Sequence, residues 1–168
     1  MKIPFARPYL TGNEQKYIND ILTNIRNGAQ TSGDGPYGKK CEQFMEEKFG
    51  ARKVLLTTSC TSALEMATFL IGIKPGDEVI MPSFTFVSTA NPVVMAGGIP
   101  VFVDIDPDTL NIDPEKIEEA ITPRTRAIYP VHYAGVSCAM DEIMSLAKKH
   151  DLWVVEDAAQ GVGARYKG

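Results

Sequence analysis

The sequence predicts an α/β protein with a mostly parallel sheet that helices cover on both faces. From position 53 onwards, short apolar runs alternate with helical patterns at intervals of roughly twenty residues. This alternation is typical of βαβ units. The 168 residues suffice for one domain with its own hydrophobic core. With 44% hydrophobic and 23% charged residues, the chain has the composition of a globular protein rather than a disordered or membrane-spanning one.

The first fifty residues predict two amphipathic helices. Thr11 and Glu14 have the spacing of a capping box, apolar residues between positions 17 and 25 share one face, and Gly28 ends the pattern. A glycine-rich loop, GAQTSGDGPYG, then leads to a second helical pattern that ends at Gly50. We therefore expect residues 1–50 to form an N-terminal helical segment and residues 51–168 to belong to the α/β domain.

Five apolar runs predict the strands of the sheet: KVLLTT, EVIMP, IPVFVD, RAIYPV and LWVVED. The helices between these strands have recognisable ends. Ser62 and Glu65 have the spacing of a capping box, and Gly72 suits a helix end. Asp113 and Pro114 suit the N-cap and the first position of another helix.

Charge and residue usage argue against several kinds of partner. The net charge of −4 comes with no block of Lys and Arg, so we expect no nucleic acid partner. No run of about eighteen apolar residues occurs and the N-terminus lacks a signal-peptide core, so we expect neither a membrane partner nor export. The three cysteines lie far apart, which argues against disulfides and a zinc site and favours the cytoplasm.

The carboxyl ends of the strands are the expected place for a ligand, because ligands of open parallel sheets bind there. After the first predicted strand, Ser59, Cys60 and Thr61 stand at a helix start, where backbone N–H groups favour an anion such as phosphate; simple N-capping is the alternative. After the second, Phe84 and Phe86 predict an aromatic wall, with core packing as the alternative. Without a G-x-G-x-x-G fingerprint or a P-loop lysine, neither a dinucleotide nor ATP is favoured.

The last predicted strand delivers Asp157 and, three residues later, Gln160. A carboxylate at the end of a buried strand needs a cationic partner or several hydrogen-bond donors, and a structural ion pair is the alternative to a functional role. Pyridoxal 5′-phosphate satisfies the whole set, since it has a phosphate, a flat ring and a pyridine nitrogen whose proton a carboxylate retains. Gln160 is placed to donate to its phenolic oxygen. The strand exits therefore predict a site for pyridoxal phosphate.

Five motifs along the chain carry a resemblance to a known family. TTSCTSALEMA, GDEVIMPSFTFVSTANPV, FVDIDPDTLNID, PVHYAG and VVEDAAQGVGARYKG resemble, in this order, the N-terminal part of the DegT/DnrJ/EryC1/StrS sugar aminotransferases. The resemblance implies an incomplete large domain of a fold-type I aminotransferase, a three-layer αβα arrangement without the small C-terminal domain. It also implies a homodimeric enzyme that uses pyridoxal phosphate to transfer an amino group from glutamate to a nucleotide-linked keto sugar, a dTDP-4-keto-6-deoxyhexose.

The resemblance also implies roles for individual residues. Asp157 pairs with the pyridine nitrogen, Gln160 contacts the phenolic oxygen, and Phe86 stacks on the ring. His132 matches a family histidine near the ring, while a packed or loop-bonding histidine stays an open alternative. The TSGDGPYG loop, residues 31–38, is a candidate contact for the nucleotide. The phosphate is assigned to the helix start, at Cys60 and Thr61, with Ser59 adjacent.

No catalytic residue is assigned within the chain. The family's Schiff-base lysine lies in a segment that would follow Gly168, Lys167 is too close to the end, and Lys148 and Lys149 lie on a polar helix face. We therefore expect an N-terminal fragment that is inactive alone. Two rivals stay open: a sugar dehydratase of the same family with histidine in place of the lysine, and a non-catalytic α/β module for binding or oligomerisation.

Overall fold

The computed structural model describes residues 8–29 and 35–168. The chain divides into two compact units, one on the N-terminal side of Thr57 and one from Thr57 to Gly168. Residues 31–34, which belong to the predicted nucleotide-contacting loop, lie outside the described residues.

The first unit contains the two predicted helices, α1 (Glu14–Arg26) and α2 (Pro36–Phe49). Asn13 takes the N-cap position of α1, and the carboxylate of Glu14 accepts the backbone N–H of Thr11 at 2.6 Å. Helix α2 ends at Gly50, whose φ of 64° lies in the left-handed region that glycine adopts at little cost.

The predicted strand KVLLTT is wrong. The backbone N–H groups of Val54 and Leu56 donate to the carboxylates of Glu46 and Glu42 on α2, at 3.0 Å and 3.3 Å. Leu55 between them is 60% exposed. A strand needs a hydrogen-bonded neighbour, and no strand of the described residues pairs with this segment. An apolar run alone does not reveal whether such a neighbour exists.

The second unit contains a parallel sheet of four strands: β1 (Glu78–Pro82), β2 (Ile99–Val103), β3 (Thr125–Ile128) and β4 (Trp153–Val154). Their order in the sheet is β2-β1-β3-β4. The predicted α/β fold with a mostly parallel sheet is therefore confirmed, with four strands in place of five. In the inner strand β1, Ile80 lies opposite Val101 of β2 and Ile128 of β3.

Helices cover both faces of this sheet because successive residues of a strand point to opposite sides. Ile80 belongs to a buried cluster with Ile117 and Ile143, which lie on two of the helices. Val79 and Met81 belong to a second cluster on the other face, together with Val93. The helices are α3 (Cys60–Leu70), α4 (Asn91–Met95), α5 (Pro114–Ala120) and α6 (Met140–His150).

The N-termini of these helices test the predicted caps. Asp113 caps α5 by accepting the backbone N–H of Glu115, as predicted. The predicted capping box at Ser62 is wrong, because Ser59 caps α3 and accepts the backbone N–H of Ser62 at 3.1 Å. The helix thus begins earlier than predicted, since the stretch offers two serines suited to the same role. No helix within the described residues has the length and apolar character that crossing a membrane requires.

Candidate functional site

Asp157 lies at the carboxyl edge of the sheet and is only 5% exposed. Strand β4 ends at Val154, but the chain pairs again with the extension of β3 through a parallel bridge between Val131 and Asp157. The N–H of Asp157 donates to the carbonyl of Pro130 at 2.9 Å, and the N–H of His132 donates to the carbonyl of Asp157 at 3.1 Å. The backbone on both sides therefore fixes the position of this carboxylate.

Among the described residues, the hydrogen-bond donors to the Asp157 carboxylate are neutral. The Thr89 hydroxyl donates to Oδ2 at 2.8 Å, the Ala159 N–H donates to Oδ1 at 3.2 Å, and the Cys60 thiol lies 3.8 Å from Oδ1. Burial, followed by the nearby Asp157 charge, raises the pKa of this thiol. No ion pair within residues 8–29 and 35–168 involves Asp157. A buried carboxylate without a cation retains electrostatic attraction for a positively charged ligand.

Asp157 opens onto a cavity of about 270 Å³, slightly below the roughly 300 to 1,000 Å³ that ligand pockets usually have. Three more of the predicted site residues line this cavity: Phe86, His132 and Gln160. Phe86 is 72% exposed, so its ring is available for stacking, whereas the ring of Phe84 packs against Tyr133 with 4.7 Å between centroids. The structure therefore assigns different positions to the two phenylalanines, which the sequence alone could not do: Phe86 is available for a ligand and Phe84 packs against Tyr133.

Gln160 is oriented by a backbone group. Its side-chain Oε1 accepts the N–H of Ala134 at 2.7 Å. Because an amide N–H requires the oxygen of Gln160 as its acceptor, the Nε2 group is left as the end that can donate to a ligand. The predicted donation to a phenolic oxygen is compatible with this orientation and stays a prediction.

Ser59, Cys60 and Thr61 begin helix α3 beside Asp157 and are not among the residues that line the cavity. The hydroxyl of Ser59 is used for capping, and the hydroxyl of Thr61 donates to Ser88 at 2.8 Å. The backbone N–H groups of Cys60 and Thr61 belong to the first turn, which has no intrahelical acceptors for them. Any contact of these two residues with an anion would therefore use the backbone.

His132 is buried, and both of its ring nitrogens have protein partners. Nε2 lies 2.8 Å from Oε2 of Glu156, and Nδ1 accepts the backbone N–H of Cys138 at 3.1 Å. Interaction with the Cys138 side chain, followed by the hydrogen bond with Glu156, raises the pKa of His132 to about 9, while burial lowers it. Because the Cys138 thiol donates to the carbonyl of Val131 at 3.2 Å and the Cys138 N–H needs a lone pair on Nδ1, we attribute the raised pKa to the Glu156 carboxylate. A contact with a cofactor would therefore use the carbon atoms of the ring.

Sequence reasoning missed the residues that support the site from a distance. Thr89 and Ser88 lie in the predicted SFTFVSTAN stretch, and their hydroxyls hold Asp157 and Thr61. Two adjacent hydroxyl residues just after a strand were a signal for them. Ala134, by contrast, holds Gln160 through its backbone N–H. Such a contact cannot be predicted from the residue type, because every residue except proline has a backbone N–H.

Similarity to known proteins agrees with this arrangement. Residues 11–168 match the model of the DegT/DnrJ/EryC1/StrS aminotransferase family. The chain is 42% identical over 167 residues to the GDP-perosamine synthase of Caulobacter vibrioides. The matched region covers 99% of this chain and 44% of the relative. It is 45% identical to the spore coat polysaccharide biosynthesis protein SpsC of Bacillus subtilis, over 98% of this chain and 41% of the relative. The chain thus spans less than half the length of these relatives.

Solved structures resemble the whole chain as well. The crystal structure of NtdA from Bacillus subtilis, with bound cofactor PMP, has a TM-score of 0.87 and 40% identity and covers 96% of this chain and 38% of that chain. The aminotransferase from Psychrobacter cryohalolentis has a TM-score of 0.89 and 38% identity, over 98% of this chain and 41% of that chain. The fold predicted by the resemblance, part of a fold-type I large domain, is confirmed.

Proposed function

Because the chain belongs to the DegT/DnrJ/EryC1/StrS aminotransferase family, we propose that it supplies the pyridoxal-phosphate-binding part of a nucleotide-sugar aminotransferase. The observation that carries this proposal is Asp157, a buried carboxylate with neutral donors only, which opens onto a cavity beside the exposed ring of Phe86. A flat aromatic ligand with a protonated ring nitrogen provides the missing cation. The cofactor PMP bound in NtdA is the aminated form of such a ligand.

The residues present fit this cofactor. Asp157 would hold the proton on the ring nitrogen, Phe86 would cover one face of the ring, and Nε2 of Gln160 would donate to the phenolic oxygen. The first-turn N–H groups of Cys60 and Thr61 would bind the phosphate. Thr89 and the Ala159 N–H fix the direction of the Asp157 carboxylate. When bound, pyridoxal phosphate supplies an electron sink for a carbanion next to the transferred nitrogen.

Within residues 8–29 and 35–168, no lysine that could attach the cofactor covalently lines the cavity. Lys149 and Lys167 are instead paired with Glu118 and Asp141. We infer that a protein containing this chain takes that lysine from elsewhere. The cavity residues of this chain would then bind the cofactor without covalent attachment and would not transfer an amino group by themselves.

The proposed substrates are glutamate and a dTDP-4-keto-6-deoxyhexose, converted by a cytoplasmic homodimer. The sequence resembles the dTDP-4-amino-4,6-dideoxygalactose transaminases of enterobacterial common antigen synthesis, which supports this choice of sugar. The name of the Caulobacter relative makes a GDP-linked sugar the competing choice. The enzyme with the full length of its relatives should therefore be assayed with glutamate and both 4-keto-6-deoxy sugar nucleotides, and the aminated product identified by mass.

The cofactor proposal is tested on this chain with 4-deoxypyridoxine 5′-phosphate, which lacks the aldehyde and so cannot react with surface lysines. We expect saturable binding to one site in calorimetry, competition by pyridoxal phosphate, and weaker binding to Phe86→Ala. Phe102→Ala is the matched control, because Phe102 is also exposed but lies on β2. Absence of saturable binding, or equal affinity of the wild type and Phe86→Ala, would refute the proposal.

A further inference from the structure

Asn111 is a buried amide outside the cavity, in the FVDIDPDTLNID motif that precedes helix α5. It is 2% exposed, and both ends of its side chain contact one loop. Nδ2 donates to the carbonyl of Val136 at 3.0 Å, and Oδ1 accepts the N–H of Tyr133 at 3.0 Å. The amide therefore holds the loop between Tyr133 and Val136 at its two ends.

The backbone of Asn111 is itself held by a turn. Oδ1 of Asp106 accepts the N–H groups of Asp108 and Thr109 at 2.7 Å and 3.1 Å, and the N–H of Asp106 donates to the carbonyl of Asn111 at 2.8 Å. An antiparallel bridge joins Ile105 and Ile112 on either side of this turn. Asn111 thus holds the loop from a fixed support.

The loop contains Ala134 in a conformation that alanine rarely adopts. Its φ of 52° lies in the left-handed region, which persists in a residue with a side chain only where the surroundings impose it. In this conformation the N–H of Ala134 points at Gln160 and donates to Oε1 at 2.7 Å. The contacts of Asn111 on both sides of Ala134 add to the backbone bonds of the loop itself, in which the N–H of Gly135 donates to the carbonyl of His132 and the N–H of Val136 donates to the carbonyl of Tyr133.

We propose that Asn111 is the positioning residue of Gln160. It holds the loop so that the N–H of Ala134 stays hydrogen-bonded to Oε1 of Gln160. This bond leaves Nε2 of Gln160 as the donor to a ligand. The part of this inference that concerns a ligand rests on the proposed function. The contact between the loop and Gln160 does not, and it can be measured in the free protein.

The ligand-free test uses Asn111→Ala, which removes both contacts, and Asn111→Asp, which keeps the acceptor and sets an oxygen against the carbonyl of Val136. Hydrogen exchange at the Ala134 N–H should accelerate about tenfold in both variants, and the Gln160 side-chain NH₂ resonances should shift. Thr125→Val is the matched control, because this buried hydroxyl accepts a single N–H, that of Thr122, at the other edge of the sheet. Unchanged exchange at Ala134, or loss of the fold in both variants, would overturn the proposal.

The ligand-based test is a double-mutant cycle with 4-deoxypyridoxine 5′-phosphate. Asn111→Asp should weaken binding about five- to tenfold, the equivalent of one hydrogen bond, and should have no further effect in a Gln160→Ala background. Additive losses would contradict an action of Asn111 through Gln160. Absence of binding to the wild type would refute the proposed function, and the exchange data would still decide the role of Asn111.

Discussion

Two buried carboxylates lie at opposite edges of the same sheet and have different partners. Glu78 begins strand β1 at the amino edge, where Arg124 Nε donates to it at 2.9 Å and the Thr122 hydroxyl also contacts it. Asp157 lies at the carboxyl edge, where its donors are Thr89, Ala159 and the thiol of Cys60. Only the first of the two has a cation among its partners in the described residues.

The difference separates a carboxylate that serves the fold from one that is available for binding. The hydrogen bond from Thr122 and the charge of Arg124 lower the pKa of Glu78 despite its burial. The chain therefore completes this site by itself. At Asp157 neutral donors fix the carboxylate without neutralising it, so attraction for a cation remains for a ligand. Loops and helix N-termini converge at the carboxyl edge of an open parallel sheet, and ligands bind there for this reason.

The largest expected effect is that of Asp157→Asn on the binding of 4-deoxypyridoxine 5′-phosphate. Loss of a charge-assisted hydrogen bond, about 1.5 to 3 kcal/mol, should weaken binding about ten- to a hundredfold in calorimetry. The free energy of unfolding should change little or rise, since a buried uncompensated charge is removed. Glu78→Gln should leave binding intact. Equal losses of affinity in the two variants would abolish the distinction between the edges.

Arg124→Met should produce the opposite result, with lower stability and unchanged binding. We expect the free energy of unfolding to fall by about 1 to 2 kcal/mol, because the variant leaves Glu78 buried without its cation; exposure of the Arg124 side chain limits the loss. Because the pKa of Glu78 is lowered, this stabilisation is present above the ordinary carboxyl pKa and is lost as the pH falls through the lowered value. Urea unfolding of the wild type and the variant should show a deficit at pH 7 that shrinks as the pH falls through the lowered pKa of Glu78.

Thr89→Val should have a smaller effect, confined to the carboxyl edge. It removes the hydroxyl that donates to Oδ2 of Asp157, which should cost about 1 kcal/mol of stability and weaken the binding of 4-deoxypyridoxine 5′-phosphate a few-fold. Thr125→Val is the matched control, because its buried hydroxyl accepts the N–H of Thr122 at the amino edge and makes no bond to Asp157. If the two variants bound equally weakly, the direct contact of Thr89 with the carboxylate would not matter.

The smallest expected effect concerns Glu156→Gln, which tests whether the Glu156 carboxylate makes its partner His132 cationic. The pKa of His132, about 9, should fall in the variant when followed by NMR. Because the folded pKa is raised, the stabilisation is fully present below the ordinary histidine pKa of about 6.5 and is lost as the pH rises through about 9. The variant should therefore be less stable than the wild type at pH 6 and equally stable at pH 10. A wild-type pKa below 6.5 would mean that the Cys138 N–H keeps the ring neutral.

The sequence by itself determined the features that depend on neighbours along the chain. The cap at Asp113 and the helix end at Gly50 follow from local backbone chemistry, and both were predicted. Asp157 and Gln160 could be placed at a strand exit because an apolar run ends just before them and parallel strands put their carboxyl ends at one edge.

Tertiary structure alone decided the features that depend on distant partners. KVLLTT is as apolar as the true strands, but its N–H groups donate to the acids of α2, because the described residues offer it no strand as a neighbour. The Thr89 hydroxyl donates to the carboxylate of Asp157, which lies 68 positions later in the chain. The side chain of Asn111 donates to the carbonyl of Val136, in the loop that contacts Gln160. Such contacts are absent from the sequence pattern because a hydroxyl or an amide can bond to many partners, and only the packed chain selects one.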